Sequence, residues 1–107
     1  MLLTTQNTVE GYEVVETMGV VKGNTIRARN IGRDIIASLR TIVGGEITEY
    51  TKLMAEAREQ AKDRMIAEAE RSGANAIVGV RFTTSTVLQG AAELLAYGTA
   101  VKIQPKS

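Results

Sequence analysis

Apolar residues recur every three or four positions between residues 48 and 72, which is the spacing of one face of an amphipathic helix. Thr48 is a suitable N-cap, and Glu49 places a negative charge in the first turn. Gly73 is a natural stop, because glycine readily takes the left-handed conformation that ends helices. The pattern predicts a helix from about Thr48 to Ser72 with this apolar stripe: Tyr50, Leu53, Met54, Ala57, Ala61, Met65 and Ala69.

Other segments are rich in valine, isoleucine, threonine and tyrosine and contain no proline, which favours β-strands. Gly23-Asn24 is a turn signal after the first long segment, and the sequence leaves open whether residues 25–29 extend that strand. Residues 84–90 are polar and are predicted to form a connection. The predicted strands are Leu2–Thr5, Tyr12–Lys22, Ala76–Thr83 and Ala92–Ile103.

A second, shorter helix is predicted from Arg33 to Val43, because its apolar residues follow the helical spacing. Gly44-Gly45 then follows as a helix end and a turn into the longer helix. The same glycines precede the N-terminus of that helix, where free backbone N–H groups are able to bind an anion. A helix–helix turn is the preferred interpretation of Gly44-Gly45-Glu46, and a phosphate or carboxylate site is the alternative.

The predicted strands carry apolar side chains on both faces, whereas a sheet covered on one face alternates apolar and polar residues cleanly. In the first long strand, Val14 and Val20 lie on one parity, and Val15 and Val21 on the other. Two interpretations follow: either the short helix covers the second face of a monomer, or another subunit does. The second is favoured, because large exposed apolar patches are uncommon on soluble monomers and closed homo-oligomers are the usual solution.

The composition excludes several functional classes. The chain has 107 residues, enough for one domain spanning 1–107, and balances 13 Lys and Arg against 12 Asp and Glu. That balance argues against a dedicated nucleic-acid binder, which needs a basic surplus. The absence of Cys and His excludes disulfides, thiol nucleophiles, histidine bases and Cys/His metal sites. No signal peptide or membrane span is recognisable, so a cytoplasmic protein is expected.

Segments along the whole chain together resemble the YbjQ family, also called UPF0145, a small bacterial and archaeal family of uncharacterised function. No single motif is strong, but their order and spacing are fairly specific. The matching segments are Thr4-Thr5, Gly11-Tyr12 leading to Val20, Val43-Gly44-Gly45-Glu46 with Tyr50, Ala57-Arg58, Ala61, Arg64-Met65, Gly73-Ala74-Asn75-Ala76 with Gly79, and Gly98-Thr99-Ala100-Val101.

This resemblance implies an α+β fold: a two-layer, dodecin-like subunit with an antiparallel sheet packed on one long and one short helix. It also implies assembly as a ring of five identical subunits. Dodecin-type proteins bind flavin between stacked aromatic rings, but this chain has no Trp and only Tyr12, Tyr50, Tyr97 and Phe82. No cofactor is therefore expected.

The family is also labelled as heavy-metal-binding, and this chain departs from what that label requires. Soft metals prefer cysteine, histidine or thioether ligands, and only the four methionines remain. The carboxylates of the long helix alternate with Lys and Arg and follow no metal-loop spacing. Metal binding is accordingly disfavoured.

The sequence thus predicts a non-enzymatic homo-oligomer with a structural or assembly role. The alternative is a module that binds an anionic or planar small molecule at subunit interfaces. The candidate ligand-binding residues are those whose motifs match the family's: Glu46, Tyr50, Arg58 and Arg64. For Glu46 and Arg58 the competing interpretation is a structural ion pair, and for Tyr50 it is packing in the core.

Overall fold

The computed structural model describes residues 1–28, 42–43, 46–88 and 91–107. The elements are β1 (Leu2–Leu3), β2 (Tyr12–Ala28), β3 (Ile42–Val43), β4 (Glu46–Ile47), α1 (Thr48–Arg71), β5 (Ala76–Leu88) and β6 (Ala91–Pro105). A four-stranded sheet in the order β1-β5-β6-β2 packs against the helix, and β3 and β4 form a separate two-stranded ladder.

Helix α1 has the predicted bounds and buries the predicted stripe from Ala57 onward, whereas Leu53 and Met54 are half-buried. Ala57, Ala61, Met65 and Ala69 have no exposed surface. After the helix, Gly73 has a φ of +87°, the left-handed conformation expected of a glycine at this position. Asn75 then ties the short connection to β6, since its amide donates to the carbonyl of Ile103 and its carbonyl oxygen accepts the N–H of that residue.

Strand β2 runs straight through Gly23 and Asn24, so the predicted turn at these residues is wrong. The reason is tertiary. The backbone of α1 lies so close to Gly23 that a Cβ atom there would collide with the carbonyl oxygen of Ala61, the amide nitrogen of Met65 and the Cβ of Arg64. Gly23 permits close packing of the helix on the sheet, a role that has the same sequence signal as a turn.

Strand β5 continues to Leu88, so the predicted polar connection over residues 84–90 is wrong for its first part. Thr84, Ser85 and Thr86 pair with Leu94, Glu93 and Ala92 of β6. Threonine is β-branched and suits an extended strand even where the side chain faces solvent. Polarity here marks exposed strand positions rather than a loop.

Two further expectations need correction. The sheet is mixed rather than antiparallel, because β1 runs parallel to β5, with Leu2 beside Ala76 and Leu3 beside Ile77. The predicted helix from Arg33 to Val43 is wrong at its end, where β3 pairs with β4. The rest of that predicted helix, and Gly44-Gly45, lie outside the described residues. The two-layer α+β arrangement with one long helix is confirmed.

The core lies between α1 and the sheet. Its largest fully buried side chains are Met65 of the helix and Ile77 of β5. Thr25, the buried polar residue of β2, donates its hydroxyl to the carbonyl oxygen of Ala57 at 3.2 Å. This hydrogen bond satisfies the buried hydroxyl and adds to the packing of α1 on β2.

Candidate functional site

The face of the sheet opposite α1, which we call the helix-free face, exposes large apolar side chains. Val20 and Ile26 of β2 are 73% and 59% exposed, and Tyr97 of β6 is 39% exposed. Pairing of Val20 with Thr99 and of Lys22 with Tyr97 places these side chains on one surface, since side chains alternate across a strand. Val20 lies at the centre of β2 and Ile26 near its end, and exposed apolar side chains of this size on one face are uncommon on soluble monomers.

The other end of the same face is covered by the chain itself. Ala76, Val78, Val101 and Ile103 are buried there, and Val9 packs against them. The segment that leads into β2 therefore covers only part of this surface. The prediction of apolar residues on both faces is confirmed, but the sequence did not indicate which of them stay exposed.

The outer edge of β5 has a partner strand over only part of its length. The N-terminal segment accompanies it as far as Val80, whose N–H donates to the carbonyl of Thr4 at 3.0 Å. In the described part of the chain, no strand lies beside residues 81–88 on that side. We call this segment the open β5 edge. Phe82, at its start, is 43% exposed and contributes to a cleft of about 240 Å³ together with Leu3, Thr4, Thr5, Lys62 and Val80.

The four candidate residues do not gather around one pocket. Glu46 lies in β4, and the other three follow along α1, which begins at Thr48. Tyr50 and Arg64 are separated by about 21 Å along the helix axis at about 1.5 Å per residue. Within one chain these residues therefore cannot contact one small ligand together.

Arg64 contacts β2 rather than a cleft. Its Nη1 donates to the carbonyl oxygen of Asn24 at 2.6 Å. Arg58 is exposed on the helix surface. Arg27 of β2 donates to Oε1 of Gln60 at 2.6 Å. The structure thus gives two of the arginines in this region a role in joining α1 to β2.

The described residues offer no cluster of three or more carboxylates that is arranged to hold a metal ion. On α1 the side chains of Glu56, Glu59, Asp63 and Glu70 are exposed, and Glu59 forms a salt bridge with Lys62 at 3.0 Å. Nor does any helix in the described part of the chain have the length and hydropathy needed to cross a membrane.

Titration with zinc, copper or cadmium is expected to give no tight stoichiometric binding, because the sequence has no cysteine or histidine and only four methionines. Isothermal titration calorimetry on the metal-free protein measures this directly. A binding site of sub-micromolar affinity would contradict the prediction.

A four-stranded mixed sheet with one long helix defines a small α+β fold, and a solved structure has the same fold. The chain is similar to a protein of unknown function of the DUF74 family from Pediococcus pentosaceus, with a TM-score of 0.65, 18% identity, and coverage of 97% of this chain and 98% of that one.

The sequence comparisons are more specific. A family model described as "Putative heavy-metal-binding" (YbjQ) matches residues 1–104. A UPF0145 protein of Methanococcus vannielii is 62% identical over 104 residues, covering 97% of this chain and 99% of the relative. One from Thermus thermophilus is 53% identical over 105 residues, covering 98% and 92%. The chain belongs to the YbjQ (UPF0145) family, as its sequence motifs predicted.

Proposed function

We propose that this protein is a non-enzymatic homo-oligomer, a ring of five subunits, in which copies of the chain cover one another's exposed apolar surface. The observation that carries the proposal is the exposure of Val20 and Ile26, 73% and 59%, on the helix-free face. Burial of these side chains against a second copy is favourable by about 25 cal/mol per Å² of apolar surface.

The open β5 edge supports the same proposal. An unpaired strand edge presents N–H and C=O groups that readily pair with another chain. Phe82, at the start of this edge, adds an exposed ring that a second copy would bury. Unpaired backbone and an exposed aromatic ring thus occur together at this edge, which lies on the opposite side of the sheet from β2. The number five comes from the resemblance to ring-shaped family members.

The proposal of a structural role rests on the side chains the sequence supplies. With no Cys and no His, the chain has neither a thiol nucleophile nor a histidine base. The residues carried over from the family motifs extend from β4 along α1 instead of converging. These features favour assembly over catalysis as the function of the fold.

Size-exclusion chromatography with light scattering is expected to give a mass near five times 11.5 kDa. Native mass spectrometry of protein purified from its own cells checks the same number and also detects any bound small molecule. A monomer at micromolar concentration would contradict the proposal, and a ring with a stoichiometric ligand would favour the alternative binding module.

The double variant Val20→Glu/Ile26→Glu is expected to lower the measured mass, because two charges would then be buried at the subunit contact. Both side chains are exposed in one chain, so the fold of the subunit should persist. The matched control is Gln6→Glu/Thr8→Glu, which adds the same charge to an exposed segment outside the apolar surface. An unchanged mass for the first variant would mean that the helix-free face is not the contact.

A further inference from the structure

Near the centre of β2, side chains of α1 bind the outer edge of this strand. In the described part of the chain, β2 pairs with β6 only and is the last strand of the sheet. The backbone N–H of Lys22 donates to Oε2 of Glu68 at 3.2 Å. The carbonyl oxygen of Asn24 accepts from Nη1 of Arg64 at 2.6 Å. Residues two apart on a strand direct their backbone groups to the same side, so both contacts lie on the same edge.

These contacts depend on how closely α1 approaches the sheet. Gly23 lies between the two residues whose backbone is bonded, directly under the helix. Arg64 and Glu68 have opposite charges and the four-residue spacing of a helical ion pair. The salt bridge of the described residues, however, is Lys62–Glu59, and Arg64 and Glu68 instead reach the strand. The two charged side chains thus bind a backbone N–H and a backbone C=O of β2 that would otherwise be available to pair with another strand.

The two edges of the sheet therefore differ. On the open β5 edge, residues 81–86 are exposed and have no neighbouring strand in the described chain. Charged side chains over an edge strand are a known way for proteins to prevent edge-to-edge association. If the β5 edge of one copy paired with the β2 edge of the next, the contact would be head-to-tail, and such contacts give filaments when they do not close.

We infer that Arg64 and Glu68 guard the β2 edge against strand addition by a second copy, so that the open β5 edge of one copy cannot pair with the β2 edge of the next and extend into a filament. The guard stands on the two hydrogen bonds alone and does not depend on the proposed homo-oligomer. Arg64, first identified from a family motif, thereby has a role in controlling assembly.

The test is the double variant Arg64→Ala/Glu68→Ala, which removes both contacts and leaves the net charge unchanged. Its control is Lys52→Ala/Glu56→Ala, an exposed pair with the same spacing and charges on the same helix. Light scattering is expected to give larger, heterogeneous species for the first variant only, with thioflavin T fluorescence raised by about tenfold, as ordered strand stacking produces. A folded first variant with the wild-type mass and no added fluorescence would overturn the inference.

Hydrogen exchange of the unmodified protein tests the guard without any substitution. The amide of Lys22 is expected to exchange more slowly than that of Val15, which lies at an irregularity of the β2–β6 ladder. In the single variant Glu68→Ala, exchange at Lys22 should accelerate to the rate of an exposed amide. Equal rates at the two residues in the unmodified protein would overturn the guard, even if the double variant failed to fold.

The outcomes separate this inference from the proposed function. The mass of the unmodified protein tests the homo-oligomer, whereas the change in mass on removing Arg64 and Glu68 tests the guard. A monomeric wild type with an aggregating double variant would refute the proposed assembly and support the guard. A pentameric wild type with an unchanged double variant would support the proposed assembly and refute the guard.

Discussion

Replacing Gly23 with valine is expected to lower the free energy of unfolding by about 3 kcal/mol, the upper end of the usual range for overpacked sites. A Cβ atom at this position meets the helix backbone at Ala61 and Met65, which cannot rotate away as a flexible side chain would. The helix would have to move off the sheet and break its contacts with β2. Chemical denaturation at a fixed protein concentration measures the loss.

The control for this variant is Lys22→Val, which places the same β-branched side chain one residue earlier in the same strand. Lys22 is exposed, so this change is expected to alter the free energy of unfolding by no more than about 0.5 kcal/mol. Similar effects for the two variants would mean that α1 does not pack closely on Gly23. Both measurements need the same subunit concentration, because association would add to the apparent stability.

Met65→Ala is expected to lower the free energy of unfolding by about 3 kcal/mol, the loss typical of a large core side chain cut back to alanine. Met65 has no exposed surface, and the cluster around it is made largely of small side chains. Its neighbours include Ala61, Ala69, Ala96 and Ala100, which have no atoms that can move into the cavity. Thermal and chemical unfolding both report this loss.

Met54→Ala is the matched control, because it makes the same chemical change on the same helix. Met54 is only half-buried, near the start of α1, and the expected destabilisation is less than about half that at Met65. An equal loss at the two sites would indicate that Met54 is buried in the assembled protein, and repeating the measurement on a dissociated variant would distinguish this.

The local sequence pattern was sufficient to predict those elements whose residues interact mainly with one another or with one face of the core. The bounds of α1 followed from the three- and four-residue spacing of its apolar stripe and from Gly73. The strands β1, β5 and β6 were located from their β-branched and apolar residues. Membership of the YbjQ family likewise followed from motifs distributed along the sequence.

The candidate site could be predicted less well than the fold. The motifs identified Arg64 but not its partner, because the carbonyl of Asn24 lies 40 residues away in sequence. The four-residue spacing of Arg64 and Glu68 is that of a helical ion pair, but both side chains instead bind backbone groups at the strand edge. A contact of this kind depends on which strand lies at the edge of the sheet, and no local spacing contains that information.

What the sequence alone determined is the set of elements with a strong period, the family, and the presence of apolar residues on both faces of the sheet. Only the tertiary structure decided that Gly23 belongs inside a strand and that residues 84–88 are a strand rather than a connection. It also decided which apolar residues remain exposed, since Val9 covers Val101 and Ile103 but leaves Val20 and Ile26 uncovered. The physical reason is the same in each case. A glycine, a run of threonines or an exposed valine is compatible with more than one local structure, and the contacts made in the folded protein decide which one forms.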